Sequence, residues 1–271
     1  MGGFLVVSAA LLGLTLVPEL ATAQGGVGRI PAGNTPTISE EDAARPAPKL
    51  HDGKPDLSGP WIGGGSRRDL ERDAGFEPGE LPLLPWAREL RETRREQDEP
   101  YTACLPMSVP KVNPYPWRIV QSYTEKGMTH IFLLHETGDS GGHRQIFVDG
   151  RQHPDPDNLF PTWLGHSIGQ WDGDTLVIDT VGYNDKAWLD AQGTPRTEQL
   201  HTIERYSRPN YGTLINEFTL DDPGAFSRIV SMTFRATHIR PDLDLMEFIC
   251  QEGNEYGAAA GFQPGLGTSI K

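Results

Sequence analysis

The densest group of side chains able to do chemistry lies between residues 179 and 205: Asp179, Asn184, Asp185, Asp190, Arg196, Glu198, His201, Glu204 and Arg205. An imidazole beside a carboxylate can move a proton near neutral pH. His201 is the natural candidate for that role, with Glu198 or Asp185 to orient it. A strand over 200–206 would put His201 and Arg205 on one face, about 13 Å apart when fully extended. That spacing suits a base at one end of a modest substrate and an anchor for negative charge at the other. Such an enzyme requires His201 to converge with Asp185 or Glu198 in a pocket with Arg205 or Arg144. A His201 on the outer, solvated face would contradict it.

A second group, His130, His135, His143 and Arg144, brackets a glycine-rich stretch at 138–142. If Arg144 points inward it needs a carboxylate or a ligand. Trp163, His166, Asp179, Tyr183 and Trp188, in or beside the segments 149–165 and 182–199, complete the expected substrate-binding set. Long ordered loops on a β scaffold commonly carry sites. Zinc needs three or four convergent ligands. His135, His143, His166 and His201 are dispersed and form no His-x-His pair, so neither a metal nor another cofactor is expected. The signatures G-x-S-x-G and H-E-x-x-H and a glycine-rich nucleotide loop are all lacking.

These residues must be held by strands. From Trp117 onward, short β-prone runs alternate with turn signals such as Asp149-Gly150, Asp172-Gly173, Asn210-Tyr211-Gly212 and Asp221-Asp222-Pro223-Gly224. Nine strands are predicted, at 117–123, 129–135, 143–148, 166–171, 175–181, 200–206, 213–220, 228–239 and 243–250. No intervening apolar helices support βαβ units. The expectation is a mainly β, antiparallel meander closing as a lipocalin-like barrel, with a β-sandwich as the alternative. One short surface helix is predicted over Trp86–Gln97, opening after a proline.

The N-terminus predicts export. Residues 4–18 are almost all apolar, and Ala21-Thr22-Ala23 forms a small-x-small cleavage site before Gln24. The n-region lacks Lys and Arg, but no basic stop-transfer flank follows either, and no cysteine follows the cleavage point. The expected organisation is a signal peptide at 1–23, an extended arm at 24–58 and a single mainly β domain at 59–271. The protein would be periplasmic or secreted. In an oxidising compartment Cys104 and Cys250 suggest one disulfide, worth about 5 kcal/mol by loop-closure entropy. The net charge of −13 argues against nucleic acid and anionic membranes as partners, and no second apolar run can span a bilayer. A small molecule is the expected partner.

The motifs PDLSGPW (55–61), CLP (104–106), IFVDGRQHP (146–154), GQWDGDTLVIDTVGYND (169–185), EQLHTIERY (198–206) and EFICQEGN (247–254) resemble a family of exported bacterial proteins of uncharacterised function. The resemblance runs from about Pro55 to Asn254 and implies no activity. GQWDGDTL is also similar to strand pairs of lipocalin-like barrels. Three functional classes follow: a cofactor-independent lyase, isomerase or hydrolase acting on a small organic substrate; a non-catalytic barrel with a deep apolar cavity; or a cell-envelope interaction module without one.

Overall fold

The computed structural model describes residues 35–66, 68–111, 115–136, 143–247 and 250. The signal-peptide reading lies outside these residues. So do the glycine-rich stretch at 138–142 and the C-terminal segment from 251.

Nine strands close into one barrel in sequence order: β1 (Gly59–Gly63), β2 (Trp117–Thr124), β3 (Gly127–His135), β4 (His143–Phe147), β5 (His166–Asp172), β6 (Thr175–Val181), β7 (His201–Asn210), β8 (Thr213–Asp221) and β9 (Val230–His238). Eight strands stand close to their predicted positions. The predicted strand at 243–250 does not form over its described residues. Its place is taken by β1, which pairs with both β2 and β9 and closes the barrel. The PDLSGPW segment that contains it lacks the run of alternating residues that marks a strand. Trp61 nonetheless makes it part of the core, fully buried and donating from Nε1 to the Leu57 carbonyl at 3.1 Å.

The meander has one exception. β4 and β5 pair in parallel, Ile146 opposite Ser167 and Phe147 opposite Ile168. The connection across 148–165 therefore runs the length of the barrel, which is why this loop is long. Gly165 ends it with φ of +69°, and a Cβ there would lie 2.7 Å from both the Thr180 side chain and the Val181 carbonyl. Only glycine lets the loop press this closely on β6.

Strand alternation fills the lumen. Trp117, Ile119, Ile131, Leu133, Ile146, Leu176, Ile178, Tyr206, Leu214 and Ala236 pack with Trp61 and Leu57 into one apolar cluster. A second, around Phe218, Leu220, Val230, Met232 and Phe234, continues into Leu70, Leu81, Leu83 and Ala87. These last residues belong to the segment carrying α2 (Leu70–Asp73) and α3 (Pro85–Thr93). The predicted surface helix is thus α3, and it ends near Thr93 rather than Gln97. Trp86 donates to the Gly224 carbonyl at 3.0 Å, and Ala87 of the same helix is fully buried.

The arm is ordered where described and only partly extended. It carries the single-turn helix α1 (Glu40–Ala43), and Thr37 bridges to Ile239. Cys104 and Cys250 form a disulfide across a sequence separation of 146. It joins the segment after α3 to the chain beyond β9. Among the described residues no helix is long and apolar enough to cross a membrane.

Replacing both Cys104 and Cys250 with serine is expected to lower the unfolding free energy by about 2–5 kcal/mol, since so long a loop is released in the unfolded chain. Urea titration of the double variant against the oxidised parent measures it. Coincident midpoints would show that the crosslink constrains nothing.

Candidate functional site

Alternation along β6 sends Leu176, Ile178 and Thr180 inward and Thr175, Val177, Asp179 and Val181 outward. On β7, Thr202, Glu204 and Tyr206 point inward, while His201, Ile203 and Arg205 point outward. The candidate residues are thereby divided between two places that do not communicate.

Inside the barrel, Arg144 of β4 meets Glu204 of β7 at 2.5 Å, and each side chain is only 1% exposed. Arg144 also donates to Ser167 Oγ at 3.1 Å and Thr180 Oγ1 at 2.7 Å. Glu204 accepts from Tyr206 at 3.1 Å and Asn216 at 3.3 Å. Burial alone would lower the Arg144 pKa, but the charge and hydrogen bond of Glu204 outweigh it and hold the guanidinium protonated. Arg144 therefore has its carboxylate within the protein, and it lies away from His201.

Outside, one carboxylate oxygen gathers two imidazoles. Asp179 Oδ1 accepts from His201 Nε2 at 2.9 Å and from His153 Nε2 at 3.1 Å. His153 Nδ1 in turn lies 2.8 Å from His166 Nδ1. The result is a chain, His166–His153–Asp179–His201, laid across β5, β6 and β7 beneath the end of the 148–165 loop. It is half-shielded: His153 is 20% exposed, Asp179 37% and His201 39%.

A carboxylate only accepts, so both Nε2 atoms carry hydrogen. In the tautomer that leaves His153 uncharged, its Nδ1 accepts from His166 Nδ1–H. His166 then keeps a free lone pair on Nε2. The two outer rings are driven apart in basicity. Burial, aided by the charges of His153 and Arg151, pushes His166 below 6.5. The Asp179 hydrogen bond raises His201 above 6.5 against the effect of its own burial, with a further contribution from Asp221. For Asp179, burial would raise the carboxyl, but the bonds and charges of His201 and His153 win and hold it low. The two ends of the chain therefore differ in basicity, His201 holding its proton to higher pH than His166.

The remaining predicted residues stand elsewhere. Glu198 and Asp185 are exposed, and Asp179, not either of them, orients His201. Arg205 pairs at the surface with Asp172 at 2.7 Å and lies 3.9 Å from Glu217. The expected pocket joining His201 with Arg205 or Arg144 does not form, and His201 occupies the outer face. Tyr183 is fully buried with its hydroxyl 2.8 Å from Thr202 Oγ1. Trp188 is buried beneath the Arg94 guanidinium. Trp163 offers its carbonyl to Arg196 Nη2 at 2.9 Å. His135 stacks on Trp117 in the lumen, and His143 is exposed. His153 was missed by sequence reasoning. Its signal was the His-Pro pair inside a long loop.

Arg196 and Asp190 hold the 182–199 loop together. Arg196 donates to the Asn184 carbonyl at 2.6 Å, to Asn184 Oδ1 and to Ser108. Asp190 accepts from the backbone of Leu70, Gln192 and Thr194. Among the described residues no group of His, Cys, Asp and Glu side chains is arranged to hold a metal ion.

Searches of protein-family models, of curated proteins and of solved structures find no match to this chain.

Two expectations follow. Glu204→Gln, which strands a buried cation, should cost about 3–5 kcal/mol. Arg205→Gln, one residue on but on the exposed face, should cost under about 1 kcal/mol. Equal losses in urea titrations would refute the division into an inner and an outer set. In pH titrations of the imidazole resonances, His201 should titrate above 6.5 and His166 below it. For His201 the folded value exceeds the unfolded one. Its contact with Asp179 thus stabilises the fold fully below about pH 6.5 and fades as pH rises through the folded value. His166 has the opposite sign: its burial opposes folding only as pH falls below about 6.5. Asp179→Asn should bring His201 down, and an unmoved His201 titration would remove Asp179 as the cause.

Proposed function

We propose, in place of the enclosed pocket that the outer position of His201 rules out, an open surface site: a cofactor-independent acid–base enzyme acting on a small organic substrate through His166, His153, Asp179 and His201. The observation that carries this reading is the chain of three imidazoles on one carboxylate, with His166 shifted down and His201 shifted up from the ordinary imidazole value. Titratable neighbours with pKa values driven apart are the usual arrangement for paired general acid and base. His166 Nε2 takes a proton from substrate or from an attacking water. His201, made more basic by Asp179, in its protonated form delivers one to the group that leaves or to the atom that becomes basic.

The two histidines are carried by β5 and β7, one strand apart on either side of β6. Strand spacing puts their backbones roughly 10 Å apart, which fits a substrate of a few heavy atoms bridging them. Phe147 stacks on His166 with ring centroids 5.2 Å apart and offers an apolar side wall. This arrangement suits an elimination, an isomerisation or a hydrolysis, the three reactions in which one proton is removed and another supplied. The filled lumen favours this reading over a barrel that stores an apolar ligand. Export and membership of the family that the motifs resemble are part of the same proposal, and the disulfide fits an oxidising compartment.

The test is a turnover screen of the protein, in the presence of a chelator, against esters, lactones and β-hydroxy acids. Parent, His166→Gln and His201→Gln are compared. The expected outcome is a chelator-insensitive activity with a bell-shaped pH profile, reduced about 100-fold or more in each variant while the melting temperature holds. Activity that persists in both variants, or that the chelator abolishes, overturns the proposal.

A further inference from the structure

A cleft of about 450 Å³ opens far from the histidine chain, where the arm crosses β1, β2 and the β7–β8 turn. Its size is that of a small-molecule site. Pro48, Leu50, Pro60 and Val120 give it apolar walls, and Arg118, Arg208 and His238 lie in the same lining.

Among the described residues both arginines lack a close carboxylate partner. Arg208 is 6% exposed, and each of its hydrogen bonds goes to a neutral carbonyl oxygen, those of Asp56, Ser58 and Tyr211. Arg118 makes one bond, to the Leu243 carbonyl at 3.3 Å. Among the described residues neither forms an ion pair with a carboxylate within 4.0 Å. The carboxylate of the lining, Asp56, has Oδ1 engaged by the Ser58 backbone N–H and hydroxyl. His238 points Nδ1 at the Ile239 carbonyl at 2.6 Å, and burial holds it below 6.5, so it adds no third charge at neutral pH. Two guanidiniums against one carboxylate leave the cleft with a net positive charge, in a chain of net charge −13.

Arg208 also lies over the Trp61 and Tyr211 rings, but carbonyls and ring faces leave its full charge unneutralised, and a partly desolvated cation so held gains more from an anion than from water. The overall negative charge repels extended polyanions, and the apolar walls require more than an inorganic ion. We propose that this cleft is a second ligand site and that it binds a small organic monocarboxylate. The carboxylate lies at Arg118 and Arg208, and the apolar body lies along Leu50, Pro60 and Val120. Because Pro48, Leu50 and Asp56 belong to the arm, occupancy also fastens the arm to the barrel.

Isothermal titration at low salt with phenylbutyrate, and with its neutral isostere phenylbutanamide, tests this. The acid should bind saturably, and the amide should bind about tenfold more weakly or worse. Arg118→Gln, at a partly exposed strand position, should keep the parent's circular dichroism and melting temperature and reduce the acid to the affinity of the amide. Bound acid should also slow proteolysis within 35–58. The proposal is overturned if acid and amide bind equally. It is equally overturned if Arg118→Gln binds the acid unchanged, or if the acid shows no saturable binding up to about 10 mM. If Arg118→Gln fails to fold, Val120→Trp, which fills the cleft from its other wall, must abolish acid binding. Retained binding in that variant also sinks the idea.

Discussion

Arg144 and Glu204 face each other across the lumen from strands that are not neighbours, with β5 and β6 between them. Two opposite charges buried at this depth are stable only when each has the other and the remaining donors and acceptors are filled. Ser167, Thr180, Tyr206 and Asn216 fill most of them. This polar layer sits between two apolar clusters and fixes the inward set of β4 through β8. A slip of one residue in β4 or β7 would put Arg144 or Glu204 in solvent and an outer residue in the lumen. The pair costs desolvation, and in return it admits a single register.

That same layer decides where function can be. A barrel whose centre is occupied by an ion pair, with Trp61 and Trp117 on one side and Phe218 and Phe226 on the other, has its volume spent on itself. Ligands and chemistry are left to the outer surface and to the places where loops and arm lie against it. The histidine chain and the cleft at Arg118 are two such places. In both, an added segment supplies what the bare sheet lacks. The 148–165 loop brings His153 over Asp179, and the arm walls the cleft beside β2.

Much of the barrel was legible because period-two alternation and paired turn residues are strong local signals. The Asp172–Gly173 turn is an example: Asp172 pairs with Thr175, and Gly173 takes φ of +61°. Alternation also put His201 and Arg205 on one face, but it did not say that this face looks outward. The closing strand was not legible. Gly59–Gly63 is short and glycine-flanked, and its membership rests on pairing with β2 and β9, both distant in sequence. The stretch at 243–250 has the composition of a strand, but its described part, 243–247, lies outside a sheet already closed by β1. The site was half legible for a related reason. His201, Asp179 and His166 stood out by type, but their partner His153 arrives through a loop whose path depends on the parallel β4–β5 pairing. No local pattern encodes that crossover. Glu198 and Asp185 were attractive for nearness in sequence, which on a strand is a poor guide to nearness of side chains.

The 182–199 loop joins the end of β6, which carries Asp179, to the start of β7, which carries His201. Its polar side chains are spent on itself: Arg196 on Asn184, Ser108 and the Trp163 carbonyl, Asp190 on Thr194 and Leu70, and Asp222 on the Thr197 backbone. Burial has pushed Arg196 down to about 10, so these neutral acceptors hold it without a direct ion pair. Thr162 exchanges backbone bonds with Gly182 and Asn184, which ties the histidine-bearing loop to the same frame. A residue group that looks catalytic by density therefore acts as a brace. The bracing is nevertheless what a working pair on adjacent strands needs, because a hydrogen bond of 2.9 Å between Asp179 and His201 is lost by a shift of about 1 Å at either strand end. Bracing and the proposed proton-transfer groups are thus divided by position along one loop, the middle fixing the ends and the ends holding Asp179 and His201.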